Sequence, residues 1–143
     1  EPALVLVKVG GEWAADHRAR IERHGLGAAI VHRVGLSRAE LAEVYRRAPA
    51  VLVTSDAEGF GLPVAEALAC GTAVVASDLP PLREAGGAAA TYVPVADVPA
   101  WAEIVGRVLA GDAPPRADRL AWASRFSWAA HADAIAAEYH KLM

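Results

Sequence analysis

Two glutamates, Glu58 and Glu66, flank a glycine-containing segment that could bind a phosphorylated ligand. Gly59 and Gly61 let the backbone approach a ligand without a Cβ in the way. Pro63 follows, and proline suits the first turn of a helix because its missing N–H is not needed there. A helix that begins here would direct free N–H groups and its positive dipole end at a bound anion. The segment therefore predicts a diphosphate site.

The two carboxylates could complete such a site from opposite sides of the phosphate position. Glu58 precedes the loop, and Glu66 lies about one turn into the predicted helix. A carboxylate accepts two hydrogen bonds at once, which suits neighbouring hydroxyls of a ribose or a hexose. A nucleotide sugar contains both. The alternative is that Glu66 only stabilises the helix dipole and that Glu58 is a solvated loop charge.

Apolar segments of strand length alternate with amphipathic helical patterns along the chain. The predicted strands are residues 4–9, 28–31, 50–53, 72–77 and 90–93. Buried strands that alternate with helices indicate an open, doubly wound α/β domain with a parallel sheet and crossover helices. Such sheets bind ligands beyond the carboxyl ends of their strands. The glutamate segment follows the strand at Val51, so it falls at that edge.

Several helix ends can also be predicted from the sequence. Ser37 and Glu40 form a capping box, and Asp97 predicts a helix start whose helix is ended by Gly111. A proline-rich connection then precedes two terminal helices, the second capped by Ser127. The predicted helices away from the glutamate segment are residues 13–24, 38 onwards, 98–109, 117–125 and 128–142.

The terminal helices carry a large aromatic load for so short a stretch, which consists of Trp122, Phe126, Trp128 and Tyr139. Two interpretations remain open. The aromatic side chains either pack against the sheet as part of the core or dock onto a second domain.

Composition excludes several classes of function. The net charge is −3, so the chain has no basic stripe for a nucleic acid backbone. No run of about 18 apolar residues could span a bilayer. Cys70 is the single cysteine and cannot form an internal disulfide, which favours a reducing cytoplasm. No signal peptide is predicted, and the missing initiator Met suggests a chain that begins inside a longer protein.

The run from Glu58 to Glu66 resembles the E-x7-E motif of family 4 retaining glycosyltransferases, which have the glycosyltransferase-B fold. Both glutamates, the Gly-Phe-Gly-Leu-Pro core and the following residues 66–71 match the motif. The likeness continues in residues 31–35, 73–77, 84–89 and 126–128. The resemblance implies a Rossmann-like open parallel sheet with helices on both faces, the C-terminal half of a glycosyltransferase-B fold.

The resemblance also implies roles for particular residues. Glu66 would bind the ribose hydroxyls, and Glu58 would be the catalytic residue that contacts the donor sugar and its phosphate. The remaining donor-binding residues would be Gly59, Phe60, Gly61 and Leu62 at the sugar and distal phosphate, and Val34, Gly35 and Leu36 at the base. The donor substrate is a nucleoside-diphosphate sugar, and the family implies neither a metal nor a cofactor. Asp56-Ala57-Glu58 is accordingly interpreted as loop and motif.

The resemblance implies that residues 1–143 form one nucleotide-sugar-binding domain. Its partner would be an acceptor-binding N-terminal domain of the same protein. Relatives carry a diphosphate-clamping Arg and Lys and a central strand just before the position of Glu1. The chain alone is therefore expected to be inactive, with an unpaired strand edge through which a homo-oligomer could form. The alternative is a non-catalytic nucleotide-binding or partner-binding module. A dinucleotide-binding oxidoreductase is disfavoured because Gly10 and Gly11 lack the Gly-x-Gly-x-x-Gly spacing.

Overall fold

The computed structural model describes residues 4–141 and divides the chain at Leu41 into two compact units. The first unit contains strands β1 (Leu6–Val9) and β2 (Ile30–Arg33), joined by helix α1 (Ala15–Arg23) and a short 3-10 turn. The two strands are parallel, with Leu6 opposite Ile30. Helix α2 (Arg38–Arg47) begins in this unit and ends in the second.

The start of α2 confirms the predicted capping box. The Ser37 backbone N–H donates to the Glu40 carboxylate at 2.8 Å, and the Glu40 N–H donates to Ser37 Oγ at 3.3 Å. Each residue thus satisfies a donor that a helix start leaves unpaired.

The second unit is a three-stranded parallel sheet with helices before, between and after its strands. Its strands are β3 (Ala50–Val53), β4 (Ala73–Ser77) and β5 (Thr91–Val93), and its helices after α2 are α3 (Leu62–Ala69), α4 (Pro80–Gly86), α5 (Val98–Leu109), α6 (Arg116–Ala123) and α7 (Trp128–His140). The order is β3-β4-β5, so β4 is central, and all five of its residues are buried.

The core of this unit lies on both faces of its sheet. Val74 and Ala76 of β4 pack on one face with Val64 and Leu82 from α3 and α4. The alternate residues Ala73 and Val75 pack on the other face with Val108 of α5. A parallel strand covered on both faces explains the continuous apolar sequence of β4. The α/β class with helices on both faces is confirmed.

The observed elements differ from the predicted ones at their ends. The strand at 50–53 is confirmed as predicted, whereas the strand predicted at 28–31 lies at 30–33. Residues 27–29 form the 3-10 turn instead, which delays the start of the strand. Helix α4 was not predicted from the sequence; it begins with two prolines at positions that a first helical turn tolerates. The predicted end of the last helix at Leu142 falls outside the described residues.

The five predicted strands are all present, and among residues 4–141 they belong to two separate hydrogen-bonded sheets. The helix caps proposed for α5 and α7 are confirmed: Asp97 Oδ1 accepts from the Ala100 N–H, and Ser127 Oγ accepts from the Ala130 N–H, both at 3.1 Å.

No helix within residues 4–141 is both long enough and apolar enough to cross a membrane.

The terminal aromatic residues differ in their burial. Trp122 packs against the core and donates its indole N–H to the Ala85 carbonyl at 2.9 Å. Its ring lies so close over Gly87 that a Cβ there would stand 2.2 Å from it. Trp128 and Tyr139 on α7 are instead exposed, at 87% and 67%. Core packing is therefore confirmed for Trp122 alone.

Candidate functional site

The glutamate segment lies at the carboxyl end of β3 and leads into α3, as the strand, loop and helix pattern predicts. Gly61 sits directly before the helix with a φ of +87°, a conformation that glycine adopts without strain. A Cβ on Gly61 would come 2.6 Å from Leu82 Cδ2. Backbone conformation and close packing both require glycine at this position, and α3 then begins at Leu62 with Pro63 in its first turn.

Free backbone donors surround this helix start. Within residues 4–141, no hydrogen bond is donated by the N–H groups of Phe60, Gly61 or Leu62. The Gly61 carbonyl already accepts from the Val64 N–H at 2.9 Å, so the first turn of α3 is formed. The three preceding N–H groups can therefore bind an anion at the positive end of the helix.

Glu58 is half-buried, and Ser55 Oγ donates a hydrogen bond to its carboxylate at 2.8 Å. This contact fixes one oxygen of Glu58 and leaves the other without a protein donor among the described side chains. No role was predicted for Ser55 from the sequence. The signal was present, since a serine three residues before a glutamate in a turn can reach its carboxylate.

Glu66 is exposed on α3 and accepts a hydrogen bond from the Tyr45 hydroxyl at 3.2 Å. Burial and then the nearby Glu66 charge raise the pKa of Tyr45, so its hydroxyl stays protonated and acts as a donor. Thr72 Oγ1 donates to the Tyr45 carbonyl at 2.6 Å. Tyr45 therefore orients Glu66 from α2, a role that the sequence analysis did not assign because Tyr45 also fits the apolar stripe of that helix.

The loop between the glutamates presents apolar side chains. Phe60 is 41% exposed, and its ring meets Phe126 edge to face with centroids 5.8 Å apart. Leu62 and Gly59 are exposed as well. Phe126 thus ties the loop to the segment between α6 and α7.

The three residues predicted to face a base lie in the first unit, between β2 and α2. Gly35 has a φ of +67°, which a turn with glycine accommodates. Val34 is exposed and Leu36 is half-buried. The structure thus brings Glu58, Glu66 and the loop together within the second unit, while residues 34–36 form a turn of the first.

Another charged pair follows the carboxyl end of β4. The Arg83 guanidinium donates to the Asp78 carboxylate at 2.8 Å, and this hydrogen bond lowers the pKa of Asp78. Arg83 also lies 4.7 Å from the ring centre of Tyr92.

Within residues 4–141, no group of three His, Cys, Asp or Glu side chains is placed to hold a metal ion.

A glycine loop and a helix start at the carboxyl edge of a parallel sheet define the class of α/β proteins that can hold a phosphorylated ligand there. Comparison with known families is more specific. Residues 1–125 match the family described as glycosyl transferases group 1, and the chain belongs to that family.

Curated relatives include D-inositol 3-phosphate glycosyltransferases from two bacteria. The chain is 41% identical over 112 residues to the Mycolicibacterium smegmatis protein. The aligned segment covers 75% of this chain and 25% of that protein. The chain is 38% identical over 148 residues to the Mycobacteroides abscessus protein, covering 96% of this chain and 33% of that protein. The chain thus spans about a quarter to a third of the length of these relatives.

Solved structures show the same fold. Sucrose-phosphate synthase from Thermosynechococcus elongatus matches with a TM-score of 0.83 and 28% identity, covering 96% of this chain and 38% of that chain. Anabaena HepE in complex with UDP matches with a TM-score of 0.82 and 20% identity, covering all of this chain and 42% of that one. These likenesses confirm the glycosyltransferase-B type of α/β fold.

Proposed function

We propose that this chain binds the nucleoside-diphosphate sugar donor of a retaining hexosyltransferase of family 4. The observation that carries the proposal is the pair of glutamates on either side of a helix start with free N–H groups. The diphosphate lies against the N–H groups of Phe60, Gly61 and Leu62. Glu66 accepts hydrogen bonds from the ribose hydroxyls, and Glu58 contacts the sugar and the adjoining phosphate.

The likeness to structures that hold nucleotides supports this donor class. Anabaena HepE was solved with UDP and with UDP-glucose, and both complexes share the fold of this chain. We propose that Val34, Gly35 and Leu36 contact the base through their backbone. We further propose that an N-terminal domain of the same protein holds the acceptor, so that the chain alone is inactive, and that the protein acts in the cytoplasm.

Catalysis in this proposal depends on orientation and on electrostatics. The loop holds the donor in a reactive geometry, and the free N–H groups of the α3 start stabilise the charge that develops on the departing diphosphate. The helix start, together with the Arg and Lys that relatives carry just before the position of Glu1, would supply this stabilisation without a cation. We therefore expect full sugar transfer in excess chelator by the full-length protein with its acceptor-binding domain, and a strict requirement for magnesium or manganese would contradict the proposal.

The test is calorimetric binding of UDP and UDP-glucose to the protein and to Glu66→Ala. Loss of a charged acceptor for hydroxyl groups should weaken binding by about 1–3 kcal/mol. Glu103→Ala is the matched control, because Glu103 is exposed on α5, away from the glutamate segment. Equal affinities of Glu66→Ala and the control would contradict the ribose assignment.

Glu58→Ala separates a transferase from a non-catalytic nucleotide-binding or partner-binding module. In a transferase, the substitution should lower the rate of sugar transfer more than it lowers UDP affinity, because Glu58 contacts the sugar. Binding of UDP-glucose by the full-length wild-type protein with no transfer to any sugar or inositol phosphate acceptor would favour the module.

A further inference from the structure

A polar cavity of about 290 Å³ opens at the amino end of the strands of the three-stranded sheet, opposite the glutamate segment. Ala48 and Pro49 line it just before β3 begins, and Thr72 and Ala73 line it where the chain enters β4. The loop with the two glutamates follows the opposite, carboxyl end of β3. Because the strands are parallel, the two locations lie at opposite edges of the sheet.

Three arginines line this cavity: Arg46 of α2, and Arg116 and Arg119 of α6. Arg46 lies 3.3 Å from Glu43, a carboxylate that also pairs with Arg47 at 2.6 Å. Arg116 and Arg119 are three residues apart and so share one face of α6. Within residues 4–141, no carboxylate lies within 4.0 Å of either guanidinium. Two positive charges therefore remain uncompensated.

Local packing brings these side chains to the cavity. Gly71 adopts a φ of +76°, and the Arg116 guanidinium lies across it: a Cβ on Gly71 would be 2.8 Å from Arg116 Nε. Glycine at this position gives Arg116 the space to lie flat over the backbone that enters β4.

Arg119 is the unusual member of the cluster. Its Nε is shielded from solvent and donates no hydrogen bond within the described residues. Burial and then the adjacent Arg116 charge lower the pKa of Arg119. A buried N–H of a charged group without an acceptor is unfavourable, and nearly all such groups in proteins have a partner. The arrangement lacks an acceptor with negative charge.

We propose that this cavity binds the phosphate group of a small phosphorylated molecule. A phosphate monoester carries nearly two negative charges and three acceptor oxygens, so it can neutralise Arg116 and Arg119 together, whereas a carboxylate would neutralise only one. The cavity is larger than a phosphate group and leaves room for the rest of a small ester. This site is separate from the proposed donor site, and its existence does not depend on the proposed function.

The test is calorimetric titration of inorganic phosphate and glycerol 3-phosphate into the protein at constant ionic strength, with acetate as the singly charged comparison. We expect both phosphates to bind and acetate to bind at least about tenfold more weakly. Arg116→Gln and Arg119→Gln should each weaken phosphate binding roughly tenfold. Arg20→Gln, which removes an exposed arginine from α1, is the matched control and should leave binding unchanged.

Other outcomes would overturn the proposal. Unchanged phosphate affinity in both cavity variants would do so, and so would phosphate binding that UDP displaces, since that would place the phosphate in the donor site. Binding to phosphatidic acid vesicles but not to glycerol 3-phosphate would assign the arginines to a lipid surface instead. Arg116 is exposed, so Arg116→Gln keeps the test decisive if Arg119→Gln does not fold.

Discussion

The hydroxyl of Tyr45 is the one side-chain group seen to orient Glu66 among the described residues. We predict that Tyr45→Phe weakens UDP binding by about 0.5–1.5 kcal/mol, because Glu66 loses a hydrogen-bond donor but keeps its charge. The phenyl ring still packs against the core, so the melting temperature should change little. Calorimetry and thermal unfolding of the variant measure the two effects. Unchanged UDP affinity would show that Glu66 needs no orientation.

Gly61 is required twice over, by its positive φ and by its contact with Leu82. We predict that Gly61→Ala lowers the free energy of unfolding by at least about 1–2 kcal/mol, measured by urea denaturation. Gly106→Ala is the control: Gly106 lies inside α5, and a Cβ there meets no atom within 4 Å. That substitution should stabilise the protein by about 0.5–1 kcal/mol. Similar losses in both variants would contradict the special role of Gly61.

At the residue scale, the sequence predicted what lies within one short segment. Glu58, Gly61 and Glu66 could be identified because the loop and the helix start that use them are contiguous. The orienting role of Tyr45 could not be predicted, because the contact depends on how α2 packs against α3, 21 residues along the chain. The clustering of Arg116 and Arg119 at a cavity could not be predicted for the same reason, because that cavity is built from three separate segments.

At the scale of elements, α5 and α7 offer a comparison of two capped helices. Asp97 caps α5, which packs against the sheet through Val108, whereas Ser127 caps α7, which buries no residue in the structure. We predict that Asp97→Ala lowers the free energy of global unfolding by about 0.5–2 kcal/mol. Ser127→Ala should reduce helix content, measured by circular dichroism, with a smaller effect on global unfolding. Equal losses would indicate that α7 is part of the cooperative core.

Helix starts were predicted accurately where a capping residue marks them. The start of β2 was predicted less accurately because a turn precedes the strand. Ser37, Asp97 and Ser127 each fix a helix start through hydrogen bonds to residues three positions along the chain, so the sequence alone locates them. Residues 27–29 are Gly-Ala-Ala and form a 3-10 turn, because glycine and alanine are both depleted in strands, so the strand begins only at Ile30. The helix α4 was missed because its two prolines indicate a loop as readily as a helix start.

At the scale of the whole molecule, buried residues are unevenly distributed. Every buried residue of the described chain lies between Val53 and Ala123, and none of residues 4–41 is buried. We predict that amides of β4 exchange with solvent at least about a hundredfold more slowly than amides of β1, because local opening of β1 exposes little apolar surface. Hydrogen exchange followed by mass spectrometry measures this. Uniform protection of both strands would contradict the expected difference.

The family resemblance predicted an unpaired strand edge, whereas the apolar sequences of the strands do not by themselves show which strands pair. An apolar run such as that of β4 indicates burial on two faces but does not name the neighbour with which the strand pairs. Pairing is decided by contacts between distant segments, such as Leu6 with Ile30 and Ala50 with Ala73. Strand number, direction of pairing and helix coverage were therefore predictable, while the pairing partner and register of each strand required coordinates.

The exposure of Trp128 gives the molecule a built-in optical label. Of the four tryptophans, Trp13, Trp101 and Trp122 are half-buried, and Trp128 is 87% exposed. Iodide in solution should therefore quench the emission of Trp128 first, and Trp128→Phe should remove most of the quenchable fluorescence. Any domain, subunit or ligand that covers α7 would shield this indole and shift its emission to shorter wavelength. Such a partner could then be detected and titrated without attaching a dye.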